Sequence, residues 1–382
     1  MIGAVGPLSQ PGAVQSGLDM KWAMALAVSD LDARGGVLGR KVALDFEDTQ
    51  ATPATAAAVA KRLTEDKNVV AVVGEYHSSA ALAAIPTYSQ AGMPVLFTEV
   101  TANAITGGDP KAPDLPPNPK TIFRVSPTST QISQLIGDWL VQSRHVKNVV
   151  HIYEATDYGN GQKAAIKNVL DPAGVRLTQV QVELNQSDYS SILLRLAQEH
   201  PDADGVIFDV TGESSFVVEE NAFQSGLLKK SMACFVNQVA ADSKAFWRAV
   251  PDGTGCVFRY TGPIPGRYDP LQKSIADRYQ AQFHESPKAW VFSSYDAIMV
   301  VADALKRAKS TDHAKVAKAI ESAHFAGSAG TYAFKYGSSN PVPTGAPSWE
   351  WHQWMTPPVT LLQYTQKNQV LGRAAIVWPP HE

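Results

Sequence analysis

Two hydroxyl-bearing turns and one aromatic-glycine turn carry the chemistry that this sequence can offer. Residues 74–80 read Gly-Glu-Tyr-His-Ser-Ser-Ala, and the spacing predicts that Ser78 and Ser79 open a helix directly after a strand and a turn. Free backbone N–H groups and hydroxyls gathered at a helix N-terminus form a ready site for a carboxylate. A serine that merely caps its helix is the commoner arrangement, so this turn alone is a weak signal. Residues 98–103, Thr-Glu-Val-Thr-Ala-Asn, follow the next predicted strand. Neighbouring strands would bring Val100 and Thr101 beside the first turn, with Tyr76 close by. The third feature is Asp157-Tyr158-Gly159-Asn160-Gly161, which contains Gly-x-Gly-x-x-Ala with Glu183 as a distal acid. It imitates a dinucleotide fingerprint, but its glycines are expected too far past the preceding strand for the tight turn that presents a pyrophosphate. Tyr158 is read instead as an aromatic that faces a ligand.

Other chemistry is thin. There is no Gly-x-Ser-x-Gly, no His-Glu-x-x-His and no Walker loop, so no catalytic residues, metal ligands or cofactors are assigned. The nine histidines are scattered, and His77 alone lies in a candidate turn. Asp45, Glu47 and Asp48 cluster at a strand end, where carboxylates more often solvate a turn than bind metal. An enzyme using His77 with Glu75 or Glu99 is the weakest of the readings considered.

Behind these turns stands a chain of 382 residues, 45% hydrophobic and 18% charged, long enough for two or three domains. A net charge of −3 with no run of Lys or Arg gives little attraction for nucleic acid or anionic lipid. No stretch approaches the roughly 18 apolar residues of a membrane span. Met1 runs straight into Ile-Gly-Ala-Val-Gly-Pro without a signal peptide, and an exported protein lacking its leader would read the same. The two cysteines, Cys234 and Cys256, lie in strand-like runs; a disulfide and two buried thiols are about equally expected.

Short apolar strands alternate with amphipathic helices from the first residue, which predicts an α/β fold with parallel sheets. Strands are expected near 2–5, 41–47, 69–73 and 94–98, with helices over 15–33, from Thr52-Pro53, and from Ser78. Five prolines and two glycines in 106–120 predict a loop. The alternation then restarts with helix 130–143, strand 148–153, helix 161–170, strand 175–182, helix 190–198 and strand 205–209. Residues 269–323 read as mostly helical, and the tail from 330, dense in Trp, as irregular and packed against a lobe. Two doubly wound parallel-sheet lobes in tandem imply a ligand cleft beyond the C-terminal ends of the strands.

In order and spacing, several segments together resemble the type I periplasmic-binding-protein family, specifically the branched-chain amino-acid (Leu/Ile/Val) binding proteins of ABC importers. They are Val5-Gly6-Pro7-Leu8-Ser9, residues 33–41 (Ala-Arg-Gly-Gly-Val-Leu-Gly-Arg-Lys), Glu47-Asp48, Val72-Val73-Gly74 with Ser78-Ser79, Ala91-Gly92-Met93-Pro94, Phe123-Arg124, and Tyr158-Gly159-Asn160-Gly161. The resemblance spans nearly the whole chain. It implies an exported, monomeric binding protein that closes around a small ligand by hinge motion and docks on an ABC permease. Three crossovers would join the lobes near 121–126, 257–262 and 327–332, giving 1–122 with 260–329 as one lobe and 123–259 with 330–382 as the other. The family's carboxylate ligands match Ser78 and Thr101, with the Val100 backbone nearby, and its aromatic on the other lobe matches Tyr158. The family acid that pairs with a ligand ammonium falls on the uncharged Gln238, for which Asp209 or Glu99 are the candidate substitutes. Trp290 and Thr211 also align with ligand positions. The ligand implied is a small carboxylate, either an amino acid or, because of Gln238, an aromatic or hydroxy acid. The same fold also serves ligand-sensing receptor domains and cytoplasmic amide-type regulators, which is the alternative reading.

Overall fold

The fold was obtained as a computed structural model, which describes residues 1–109, 112, 114–229 and 231–380. By internal contacts the chain divides into two compact units, Met1–Thr128 with Ala289–Pro358, and Ser129–Lys288 with Val359–Glu382. Along the chain, the first unit begins with β1 (Ile2–Gly6), α1 (Val14–Ala33), β2 (Leu44–Asp48), α2 (Pro53–Glu65), β3 (Ala71–Gly74), α3 (Ser78–Gln90), β4 (Val95–Phe97), α4 (Ala104–Gly107) and β5 (Ile122–Arg124). These strands form one parallel sheet in the order β2-β1-β3-β4-β5. The strand order reverses between β1 and β3, the switch point where open α/β sheets present their ligand-binding loops. Strands β1, β3, β4 and β5 are buried throughout, as a sheet covered on both faces requires. The predicted start of α2 is observed: the Thr52 hydroxyl accepts the Thr55 N–H and Pro53 opens the helix.

The second unit contains α5 (Ser129–Asp138), β6 (Asn148–Glu154), α6 (Asp157–Leu170), β7 (Arg176–Val182), α7 (Ser190–Glu199), β8 (Gly205–Asp209), α8 (Glu213–Gln224), β9 (Ala233–Val236), α9 (Ser243–Ala249), β10 (Val257–Thr261) and α10 (Pro270–Phe283). Helices α11 (Ala289–Ala308) and α12 (His313–Glu321) and the hairpin β11 (His324–Ala326) and β12 (Thr331–Ala333) return to the first unit; β13 (Val359–Gln363) and β14 (Ala375–Trp378) rejoin the second. The second sheet runs β14-β13-β10-β9-β8-β6-β7, parallel from β7 through β10 and antiparallel at β13 and β14. Its parallel part repeats the strand order of the first sheet, with the reversal between β6 and β8. The α/β class and the doubly wound pattern of both lobes are therefore as expected.

Several expectations are corrected. The expected lobe boundaries differ from the observed units at three places. Residues 123–128 and 330–358 belong to the first unit, because the backbones of His352 and Trp354 bond to Arg124 on β5, and Trp351 Nε1 donates to the Pro119 carbonyl at 3.0 Å. Residues 260–288 belong to the second unit, where the buried Lys288 ammonium lies 3.8 Å from Asp242. The loop expected over 106–120 begins inside α4, and positions 110, 111 and 113 of it lie outside the described residues, as does 382 at the expected end of the second lobe. The tail is less irregular than expected: β13 and β14 extend the second sheet. Helix α6 begins at Asp157 rather than at 161, only two residues after β6. The glycines of the third motif are thus in the first turns of the helix, and the ground given above for rejecting a dinucleotide site, a long gap after the strand, does not hold. Gly159 is there for packing: a Cβ on it would stand 1.9 Å from the Glu154 carbonyl oxygen. Cys234 and Cys256 form a disulfide with Cα atoms 4.5 Å apart, tying the starts of the neighbouring strands β9 and β10.

Candidate ligand-binding loops

In the first unit, the loops after β3 and β4 meet at one hydroxyl. Ser78, the first residue of α3, is buried, and its Oγ accepts the N–H groups of Thr101 and Ala102, both at 3.2 Å. With both acceptor positions used, its own proton has no acceptor among the described residues. The preceding turn is held by Glu75, which adopts φ +66° and whose Oε1 accepts the N–H groups of Tyr76 and His77 at 2.8 and 3.0 Å. Burial raises the Glu75 pKa, and those same N–H groups pull it back. The loop after β4 is tied down by the Ser126 hydroxyl, which donates to the Val100 carbonyl at 2.5 Å. An aromatic wall adjoins: the Tyr76 and Trp290 rings meet edge to face at 5.9 Å between centroids. Trp290 is oriented by Asp19, whose Oδ2 accepts the indole N–H at 3.0 Å while Oδ1 accepts from Gln15 at 2.9 Å. Glu99, a candidate ammonium partner, accepts the Ser293 hydroxyl at 2.6 Å.

His77 has no relay geometry. Its Nε2 accepts the Ala13 N–H at 3.1 Å, and burial pushes its pKa down to about 4, so the ring is neutral at pH 7. Glu75 meets it through the backbone rather than the ring, so the pair expected in the enzyme reading is a turn-holding pair.

In the second unit, the loops at the β6–β8 switch point are backed by two buried acids. Asp209, at the end of β8, has no exposed surface. Its Oδ1 accepts from the Tyr158 hydroxyl at 3.0 Å and from Gln162 at 3.2 Å, and its Oδ2 pairs with His151 Nε2 at 2.9 Å. Because Gln179 donates to His151 Nδ1, the imidazole carries its proton on Nε2 and donates it to Asp209. Asn237 donates to the Tyr158 oxygen at 2.9 Å, so the ring is fixed on both sides. Burial raises the Tyr158 pKa well above its ordinary value, reinforced by the Asp209 charge, which keeps the phenol protonated. Glu154, at the end of β6, accepts the Thr156 hydroxyl at 2.5 Å and both the N–H and the hydroxyl of Thr211 at 2.7 Å. Burial pushes its pKa up to about 7 against those donors. Gln238 is buried in the short helical turn after β9.

Of the expected site residues, the first unit brings Tyr76, Ser78, Ser79, Val100, Thr101 and Trp290 into one region through the β3 and β4 loops and the start of α11. The second unit places Tyr158 against Asp209 and ties Thr211 to Glu154. Asp209, the candidate substitute for the ammonium partner, is enclosed and bonded to three donors, among them the Tyr158 hydroxyl. Sequence reasoning missed Asp19, His151, Glu154, Gln162 and Asn237. Each stands in the middle of a predicted helix or strand or next to one, where polar residues carry no motif. The one signal available was their polarity in otherwise apolar runs, as with His151 within the strand segment 148–153.

Comparison with known proteins shows the family and the fold. Residues 1–345 match the family model described as periplasmic binding protein. The leucine-, isoleucine-, valine-, threonine- and alanine-binding protein of Pseudomonas aeruginosa is 25% identical over 339 residues, covering 87% of this chain and 85% of that protein. Among solved structures, a leucine binding protein of Thermotoga maritima superposes with a TM-score of 0.81 at 20% identity, covering 98% of this chain and 97% of that one. The solute-binding protein of an ABC transporter from R. palustris, in complex with benzoate, does so with a TM-score of 0.77 at 16% identity over 98% and 94% of the two chains. These structural likenesses show the shared fold.

Proposed function

Since the chain belongs to the periplasmic binding protein family, we propose that it is the extracytoplasmic solute-binding protein of an ABC importer, that it acts as a monomer, and that it takes a small carboxylate-bearing ligand. The observation that carries the ligand class is Ser78. Its oxygen is occupied by two backbone donors, so its proton is left for an external acceptor, at the N-terminus of α3 where the helix dipole favours an anion. A carboxylate accepting there gains charge-assisted bonds, roughly twice as strong as neutral ones. Ser79, Thr101 and the Val100 backbone complete the proposed anion contacts, Tyr76 and Trp290 receive the ligand body, and Tyr158, Thr211 and Gln238 supply the second unit's contacts. The range of bodies is wide: the Pseudomonas relative is named for aliphatic amino acids and the R. palustris protein holds benzoate. Both classes carry the group that Ser78 is set to meet. Binding followed by delivery to a membrane permease, rather than turnover, is the activity.

A thermal-shift screen with L-leucine, L-isoleucine, benzoate and 4-hydroxybenzoate tests the reading, since a ligand that binds only the folded protein adds about 2.7 kcal/mol of stability at 100 times its Kd. A rise in Tm with at least one of these acids is expected. Stabilisation by neutral solutes alone overturns the carboxylate reading. The proposal includes closure of the two units on the ligand about a hinge. A saturating acid should then lower the radius of gyration in small-angle scattering, and an unchanged value removes closure from it.

A further inference from the structure

Arg124, the last residue of β5, is completely buried, yet every partner it has is neutral. Its Nε donates to Gln353 Oε1 at 2.5 Å, Nη1 to the Ala102 carbonyl at 2.5 Å, and Nη2 to Thr106 Oγ1 at 3.1 Å. No carboxylate pairs with it among the described residues. A guanidinium in such a place is costly, because buried charges are normally paired. Burial lowers its pKa to about 9, which still leaves it charged at neutral pH.

The placement of that charge suggests its use. The Ala102 carbonyl bonded to Arg124 belongs to the residue whose N–H, with that of Thr101, is bound by Ser78. The Val100 carbonyl on the same loop is held by Ser126, whose own carbonyl accepts from the Gln353 amide at 2.8 Å. Gln353 is thereby oriented with its oxygen toward the guanidinium. One neutral frame thus holds the loop and the cation together, and the cation sits behind the loop rather than on its surface.

We infer that Arg124 is the counter-charge of the carboxylate site, a specificity-determining residue that acts across the Thr101–Ala102 backbone without touching the ligand. This rests on the carboxylate reading above and adds to it the source of preference for a charged over a neutral ligand. A monocarboxylate bound at Ser78 and Thr101 compensates the buried guanidinium at short range through low-dielectric protein. A neutral amide of the same shape makes similar hydrogen bonds but leaves the charge uncompensated.

The test is the ratio of affinities for benzoate over benzamide and for L-leucine over L-leucinamide, measured by titration calorimetry. Three variants are compared with the wild type. Arg124→Met removes the charge, Arg124→Lys keeps it while losing the fork of hydrogen bonds, and Thr106→Asp leaves the guanidinium in place and supplies an internal carboxylate. The inference expects the acid-to-amide ratio to fall on the order of ten-fold in Arg124→Met and in Thr106→Asp, and to be largely kept in Arg124→Lys. Should Arg124→Met fail to fold, Thr106→Asp carries the test. A residue that only staples the loop would lower acid and amide affinity by the same factor in every variant, and that result overturns the inference while leaving the carboxylate reading intact. A wild-type protein that prefers neither acid to its amide overturns both.

Discussion

The loops after β3 and β4 in the first unit and those after β6 and β8 in the second grow from the same strand order, yet opposite charges stand behind them. Each set places hydroxyls and helix N-termini beyond the C-terminal ends of parallel strands, as the fold dictates. In the first unit the loop Val100–Ala102 is backed by Arg124 with neutral acceptors around it. In the second unit, Thr156, Tyr158 and Thr211 are backed by Glu154 and Asp209, whose oxygens are filled by donors. Duplicated topology therefore does not mean duplicated chemistry. A hydroxyl proton left over beside a loop that a cation backs suits an anion, whereas hydroxyls already committed to buried acids offer a rigid wall.

The largest expected effects test what the two units share. Each holds the helix after its first strand, α1 after β1 and α6 after β6, tightly against a carbonyl at or just past that strand's end through a glycine. A Cβ on Gly17 of α1 would stand 1.7 Å from the Pro7 carbonyl oxygen, and one on Gly159 of α6 1.9 Å from that of Glu154. Gly17→Ala and Gly159→Ala are each expected to destabilise the protein by more than about 3 kcal/mol in urea denaturation, as backbone displacement at a packed site does. A cost below about 1 kcal/mol at either position would show that its helix start is free to shift, and the parallel would fail there.

The next effect separates one buried group of each region, Glu154 and His77, by the sign of their pH dependence. Glu154 has its pKa raised by burial from 4.5 to about 7. The folded state therefore holds its proton longer than the unfolded chain, and the stability it contributes is full below pH 4.5 and lost as pH rises through about 7. His77 runs the other way: lowered from 6.5 to about 4 by burial, its contribution is full above pH 6.5 and lost as pH falls through about 4. Glu75, in the same turn as His77, and Asp296, raised to about 6, are pushed up by burial in the first unit and share the sign of Glu154, so each group is isolated by its own variant. Relative to wild type, Glu154→Gln should gain up to about 3 kcal/mol between pH 4 and pH 8. His77→Gln should gain on the wild type only toward acid pH. Parallel curves for wild type and Glu154→Gln would remove the buried acid from the comparison.

The sequence made the frame of this contrast legible and concealed its charges. Strand and helix alternation is written in apolar periodicity, and the Thr52-Pro53 start of α2 and the Ser78 start of α3 were readable because capping chemistry is local. That Ser78 and Thr101 lie on adjacent loops is legible for the same reason: each follows a strand, where motif and topology coincide. Arg124 was visible only as part of a dipeptide shared with a family. Nothing local says that its neighbours would be Gln353 and Thr106, since the first of these contacts spans 229 positions. Asp209 is legible as a strand-end acid, but its partners are not, because His151, Gln162 and Tyr158 come from β6 and α6 and their convergence depends on the register β6 takes against β8. The start of α6 was placed late for a related reason. Two glycines argue for a loop by propensity, and the close approach of Gly159 to Glu154 overrides it.

Ser78 should show an intermediate effect on binding. Ser78→Ala leaves the Thr101 and Ala102 N–H groups without their acceptor and removes the donor proposed for the ligand. Affinity for benzoate or L-leucine is expected to fall by about 2 kcal/mol in calorimetric titration. An unchanged affinity would strip the first unit of its anion site and leave Arg124 without a purpose in this scheme.

The smallest effect decides what the second unit contributes. Tyr158→Phe removes one donor to Asp209 and the acceptor used by Asn237, while Asp209 keeps His151 and Gln162. Stability should fall by only about 1 kcal/mol, the net worth of an ordinary hydrogen bond. If Asp209 serves to orient the ring, Tyr158→Phe lowers the affinities for L-leucine and benzoate by the same small factor, because both ligands meet the same less firmly held aromatic. Asp209→Asn should follow that pattern with a larger loss, since it disturbs three donors at once. A loss confined to L-leucine in either variant would mean that the carboxylate reaches the ligand ammonium after all. The second unit would then present a negative charge to the ligand, where the geometry gives it a neutral wall.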